Sequence, residues 1–163
     1  QFKLQQEWDV TVFDSLYTFY YPGYNVRSTD LQAYIGLTQV DKLNDWGNKR
    51  ESNFDMYQQL IRNDYWKPKY DLNNFTSNFA YPVIHPRRRS IVKKLQENNI
   101  ETRPMVCGSM GTQPFYVKKY GRLELPNVTE VDRYGFYVPN HPKLTKDEIV
   151  FIIHTINKEI DNG

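Results

Sequence analysis

The residues best suited to chemistry are arginines and amides placed at turns and element ends. Gly23-Tyr24-Asn25-Val26-Arg27 leads from a glycine turn into Ser28-Thr29-Asp30-Leu31-Gln32-Ala33. Thr29 is a good N-cap, because its hydroxyl accepts a backbone N–H left unpaired in the first helical turn, and Gln32 reaches back to complete a capping box. Asp30 falls at the positive end of the helix dipole, where a carboxylate is favoured. Asn25 and Arg27 thus bring amide and guanidinium donors to a helix start, a candidate anion or ligand site. The plain alternative is a capped helix with solvated polar flanks.

Glu101-Thr102-Arg103-Pro104 is a second such segment. An Arg at the end of a short strand, restricted by the Pro that follows, can hold a carboxylate or phosphate bidentately, or make a structural ion pair. Gln113-Pro114-Phe115-Tyr116 follows at loop distance. Arg87-Arg88-Arg89 sets three cations at an expected helix start, against the dipole. A nucleotide diphosphate or an acidic partner would offset that cost, and a solvated face would reduce it.

Other chemistries find less support. His85, His141 and His154 lie far apart, without the spacing of a zinc motif or a paired carboxylate. His154 falls between apolar positions and reads as a boundary residue. Cys107 precedes Gly108 in a loop and reads as structural or incidental rather than as a nucleophile. Gly108-Ser109-Met110-Gly111 lacks the Lys-Ser/Thr of a phosphate-binding P-loop.

The chain of 163 residues is long enough for one domain of ordinary size. Its net charge of +2 is too small to argue for nucleic acid or a membrane surface. Thirteen Tyr, nine Phe and three Trp argue against disorder and suit interfaces. With Cys107 the sole cysteine, no intrachain disulfide is possible, which fits a reducing compartment. No apolar run approaches the roughly 18 residues that span a bilayer, and no signal peptide is evident. The expectation is a soluble, cytoplasmic protein. Gln1 to Asp9 carries no initiator Met, which reads as processing or as a piece of a longer protein.

The elements that must position these residues follow from periodicity. Residues 1–22 read as irregular or extended, with the aromatic run Phe13 to Tyr21 buried as a strand or against a second chain. The helix from Asp30 carries Leu31, Tyr34 and Ile35, with a kink or break expected at Trp46-Gly47. It resumes at Asn48 with Phe54, Tyr57, Leu60 and Ile61 at helical spacing. Ser77 to Ile84 predicts a strand with Phe79, Tyr81 and Val83 on one face, and Pro82 marks it as an edge or a bulge. Pro86 opens a helix that Asn98-Asn99 stops in the left-handed region. Ile100 to Arg103 predicts a second short strand and Phe136-Tyr137-Val138 a third, with helical turns at Phe115 to Tyr120 and Thr129 to Tyr134. Thr145 and Glu148 form a capping box ahead of the stripe Ile149, Ile152, Ile153, Ile156 and Ile160. The pattern predicts helices packed on one face of a small sheet, an α/β sandwich.

Gly23 to Arg27, Thr29 to Ala33, Ile35-Gly36-Leu37, Gln39, Leu43 and Arg50 resemble the segment following the cofactor domain in DegT/DnrJ/EryC1/StrS proteins, pyridoxal-phosphate-dependent enzymes of fold type I. Ile100 to Pro104, Gln113-Pro114, Val138 to Pro142 and Leu144-Thr145 agree in order. The resemblance implies the small C-terminal α/β domain of fold type I, with helices on a small, mainly antiparallel sheet after a long helical connector. Residues 1–64 would be the aromatic-rich interface segment and connector, and 65–163 the small domain.

The resemblance also implies an activity, transamination of nucleotide-linked 4-keto sugars with an amino donor such as glutamate. A 3-dehydrase that removes a sugar C3 hydroxyl is the alternative, suggested by Ile-Glu-Thr-Arg-Pro, a Gly-Ser loop and the absence of a His between Arg103 and Pro114. The cofactor-bonding Lys (His in one dehydrase type) would lie upstream of position 1. The chain alone would then hold no pyridoxal phosphate and have no activity. Asn25 matches the residue that reaches the cofactor phosphate of the other subunit of a homodimer, with Arg27 beside it. Tyr24, Arg103 and Gln113 would face substrate. A non-catalytic interaction module that kept the small-domain fold is the rival from another class.

Overall fold

The computed structural model describes residues 2–7, 28–71, 73–106 and 108–162. The chain forms two compact units, Gln1–Val40 and Asp41–Gly163. The first contains α1 (Phe2–Glu7) and α2 (Asp30–Val40). Where irregular or extended backbone is expected from the sequence, α1 is helical, consistent with its run of good helix formers, Lys3-Leu4-Gln5-Gln6-Glu7. The aromatic run and the turn at Pro22-Gly23 lie outside the described residues. The predicted capping box opens α2: the Thr29 N–H donates to Gln32 Oε1 at 2.9 Å, and the Gln32 N–H donates to Thr29 Oγ1 at 3.3 Å. No residue of α2 is buried, and Leu31, Tyr34, Ile35, Leu37 and Val40 are each more than half exposed.

The second unit runs α3 (Leu43–Leu60), β1 (Ala80–Ile84), α4 (Arg88–Glu97), β2 (Arg103–Pro104), α5 (Pro114–Tyr120), α6 (Pro126–Tyr134), β3 (Gly135–Pro139) and α7 (Lys146–Asp161). Its sheet is antiparallel with order β1-β3-β2. Ala80 stands opposite Pro139, Ile84 opposite Gly135 and Arg103 opposite Tyr137. The predicted small antiparallel sheet with packed helices is therefore present, and β1 is the edge strand that Pro82 implies.

The core explains the order. Phe54 and Tyr57 of α3, Tyr81 and Val83 of β1, Ile91 and Leu95 of α4, Phe136 and Val138 of β3, and Ile149 and Ile156 of α7 are all at most 1% exposed. Each such side chain contributes roughly 1.5–3 kcal/mol on leaving water. The Tyr57 hydroxyl donates to the Pro139 carbonyl at 2.8 Å, pinning α3 to the end of β3. Asn140, fully buried, donates through Nδ2 to the carbonyls of Arg50 and Asn78 and ties together three segments.

Several boundaries differ from expectation. The break at Trp46-Gly47 is absent; α3 runs through it, and the chain turns at Asp41-Lys42 instead. Gly47 serves close packing, since a Cβ there would stand 2.7 Å from the Phe75 ring. The strand from Ser77 starts at Ala80, because β3 ends opposite it at Pro139, and Phe79 is exposed rather than aligned with Tyr81. Leu60, placed among the helix's apolar positions, is also exposed. The helix opens at Arg88, not Pro86, after a turn closed by the Arg88 N–H on the His85 carbonyl. The strand at Ile100 to Arg103 is reduced to Arg103–Pro104. Ile100 instead closes a Schellman stop: its N–H donates to the Leu95 carbonyl, the Asn99 N–H donates to that of Gln96, and Asn99 has φ of 59°. His154 is exposed rather than at a boundary.

Candidate functional site

Tyr24, Asn25 and Arg27 lie outside the described residues. The helix that follows them is capped by Thr29 and Gln32. Arg103 sits on β2, exposed, and its Nε and Nη2 donate to Glu101 Oε1 at 3.0 and 2.6 Å. The ion pair foreseen as one option is thus formed. At such exposure a pair of this kind contributes no more than about 1 kcal/mol, so its guanidinium can change partner at small cost. Gln113 holds the N-cap position of α5, just after a short 3₁₀ turn at Met110–Thr112.

The arginine triplet divides its work. Arg87 turns one Nη1 toward the Ile160 carbonyl at the end of α7. Arg88 Nη1 donates to the carbonyls of Asp132 and Arg133 at 2.7 and 3.1 Å. That places a cation on the closing carbonyls of α6, the negative end of another helix, where it is favoured. Arg89 is exposed and borders an open cleft of about 860 Å³ between α4, β2 and the α6–β3 junction. Arg103 borders the same cleft, with Arg88, Lys93 and Arg133. Gln113 does not line it.

Polar groups nearby are tuned by burial and neighbours. His85 has its pKa lowered, first by burial and then by the charge of Arg87, and its Nδ1 accepts the Arg87 N–H at 3.1 Å. Tyr65 donates its hydroxyl to Glu130, and that bond raises its pKa, followed by desolvation. No group of three metal-ligating side chains occurs among the described residues. Cys107 lies outside them. Gly108 adopts φ of 50° and faces the Asp132 carboxylate, and Gly111 packs on the Leu123 carbonyl, so these glycines serve close chain packing.

Residues 4–157 match the DegT/DnrJ/EryC1/StrS aminotransferase family. The chain belongs to this family. It is 26% identical over 151 residues to the lipopolysaccharide biosynthesis protein RfbH of Salmonella typhimurium, a match covering 86% of this chain and 35% of that protein. It is 27% identical over 157 residues to a GDP-4-keto-6-deoxy-D-mannose 3-dehydratase of Yersinia pseudotuberculosis, covering 90% and 39%. Its fold superposes on Helicobacter pylori PseC, an aminotransferase involved in the biosynthesis of pseudoaminic acid, with a TM-score of 0.74 at 21% identity, covering 90% and 41%. The chain therefore spans about two fifths of the length of these relatives.

Within this DegT/DnrJ/EryC1/StrS chain, sequence reasoning missed Lys93 and Arg133 as neighbours of Arg103. Each is a lone cation in its own segment, and only the packing of α4 and α6 beside β2 brings them together. The sole local signal was the triplet's odd position against the helix dipole.

Proposed function

We propose that this chain is the C-terminal part of a pyridoxal-phosphate-dependent enzyme that transfers an amino group, from a donor such as glutamate, to a nucleotide-linked 4-keto sugar. The observation that carries the reading is the family match over nearly the whole chain, on a fold shared with an aminotransferase. The donor set suits the cofactor's phosphate. Asn25 supplies amide N–H groups and Arg27 a guanidinium fork, both suited to phosphate oxygens. In a homodimer these donors serve the phosphate held mainly by the other subunit. The cofactor, when bound, supplies an electron sink. Tyr24, Arg103 and Gln113 face the substrate, where Arg103 exchanges Glu101 for a substrate oxyanion.

A second reading, removal of the sugar C3 hydroxyl, draws support from the absence of a His between Arg103 and Pro114 and from the 3-dehydratase among the relatives. The decisive assay uses the protein encoded with whatever precedes Gln1, supplied with pyridoxal phosphate, glutamate and nucleotide-linked 4-keto hexoses. Mass spectrometry showing an amino sugar supports transamination, and loss of the C3 hydroxyl supports the second reading. Neither product would leave the interaction module. In that protein Asn25→Ala lowers cofactor retention more than thermal stability; equal losses would remove Asn25 from the phosphate. The 163-residue chain alone gives no protein-bound absorbance band with pyridoxal phosphate, and such a band would overturn its inactivity in isolation.

A further inference from the structure

Two turns of this chain share a pattern of His, Pro and a cation, His85-Pro86-Arg87 and His141-Pro142-Lys143. Each is closed twice. The backbone N–H three residues on donates to the His carbonyl, Arg88 to His85 at 2.9 Å and Leu144 to His141 at 3.0 Å. The N–H two residues on donates to the His ring, Arg87 to Nδ1 of His85 at 3.1 Å and Lys143 to Nδ1 of His141 at 3.2 Å. The ring thus does what an Asn or Asp side chain does in an Asx-turn. It accepts only while Nδ1 carries no proton, because an imidazolium has two donors and no acceptor.

The two turns differ in what surrounds and follows them. His141 is exposed, so its ring has water to turn to, and α7 beyond it has a capping box of its own at Thr145 and Glu148. His85 is half-buried. Tyr65, from the segment after α3, stands edge-on to its ring at 6.1 Å, and the carbonyl of Tyr134, the last residue of α6, accepts the His85 N–H at 3.2 Å. Burial, and then the like charge of Arg87, lower the His85 pKa from its ordinary 6.5. The acids of the neighbouring elements are engaged elsewhere: Glu130 of α6 accepts the Tyr65 hydroxyl, and Asp161 of α7 pairs with Arg62. Arg87, at the N-cap of α4, makes no side-chain cap bond, so the His85 turn holds the start of that helix. From that start Arg88 reaches the closing carbonyls of α6, and Arg87 the Ile160 carbonyl of α7.

We propose that His85 is an acid-sensitive latch on α4: a proton on Nδ1 sets one N–H against that of Arg87, opens the turn and releases the start of α4 from the ends of α6 and α7. The sign follows from the lowered pKa. The unfolded chain takes up this proton at the ordinary 6.5, the folded chain only at lower pH. The turn's contribution is whole above pH 6.5, falls as pH drops below it and levels off beneath the lowered value.

The test is native-state amide exchange on the 163-residue chain, with protection taken relative to the intrinsic rate at each pH. Between about pH 7.5 and pH 5, protection of the Arg88 and Ile91 amides, at the start of α4, falls roughly tenfold. That of Ile149, in the first turn of α7, holds. His85→Asn keeps an acceptor and cannot be protonated in this range, so its Arg88 and Ile91 amides stay protected at both pH values. His85→Ala leaves them unprotected at both. Nitrogen chemical shifts of the parent's His85 ring show Nδ1 bare at about pH 7.5 and protonated once the amides open, a reading that needs no variant. Equal protection of Arg88 and Ile91 at both pH values, a proton on Nδ1 at neutral pH, or the parent's pH dependence surviving in His85→Asn would each overturn the latch.

Discussion

Helices α2 and α7 begin alike. In each, a Thr at the N-cap exchanges hydrogen bonds with a side chain three residues on, Gln32 in one and Glu148 in the other. Beyond that first turn they diverge. In α7 the isoleucines fall on one face, and Ile149, Ile152, Ile153 and Ile156 are buried. In α2 the apolar residues are spread round the helix, Leu31, Tyr34, Ile35, Leu37 and Val40, and none is buried. A cap fixes where a helix starts; what it packs against fixes what it contributes. An apolar stripe suits a helix lying on a sheet, whereas apolar residues all round suit a helix enclosed on every side.

The sharpest way to break this comparison is to cut the same side chain from both. Ile149→Ala removes a fully buried side chain and lowers unfolding stability by about 3–4 kcal/mol. Ile35→Ala, at an exposed site, stays within about 0.5 kcal/mol. Equal shifts in the denaturant midpoint would mean that α2 is packed after all.

A smaller effect separates the caps. Thr145→Ala costs about 1 kcal/mol of the second unit's stability. Thr29→Ala lowers helical circular dichroism while leaving that unit's melting temperature in place. The smallest effect is in acid. Hydrogen bonds from the Thr145 N–H and hydroxyl lower the Glu148 pKa below its ordinary 4.5. The sign follows: Glu148 stabilises in full above pH 4.5, and that contribution is lost as pH falls through its lowered value. Glu148→Gln makes the α7 cap resemble that of α2 and flattens this limb of the melting curve, measured between about pH 5 and pH 3. An unchanged limb would remove Glu148 from the acid response.

The features legible in the sequence were those decided within a few residues. Both capping boxes, the left-handed stop at Asn99, the isoleucine stripe and the edge position of β1 each depend on neighbours in the chain. What was not legible depends on residues far apart. Gly47 reads as a helix breaker until Phe75 lies against it. The start of β1 is set by where β3 ends, at Pro139. The arginine triplet reads as one patch, yet its members reach the ends of two helices and a cleft. Arg103 was found from its own segment, but its cationic neighbours come from α4 and α6, which no local pattern joins.

The strand order has a consequence for synthesis. The middle strand of the sheet, β3, is the last of the three to leave a ribosome. Until Gly135–Pro139 emerges, β1 and β2 have no partner, and Tyr81 and Val83 lack the strand beside which they are buried. The second unit therefore gains its sheet in one late step rather than growing strand by strand, and a nascent chain paused before Gly135 holds its apolar strand exposed to any chaperone that binds such segments.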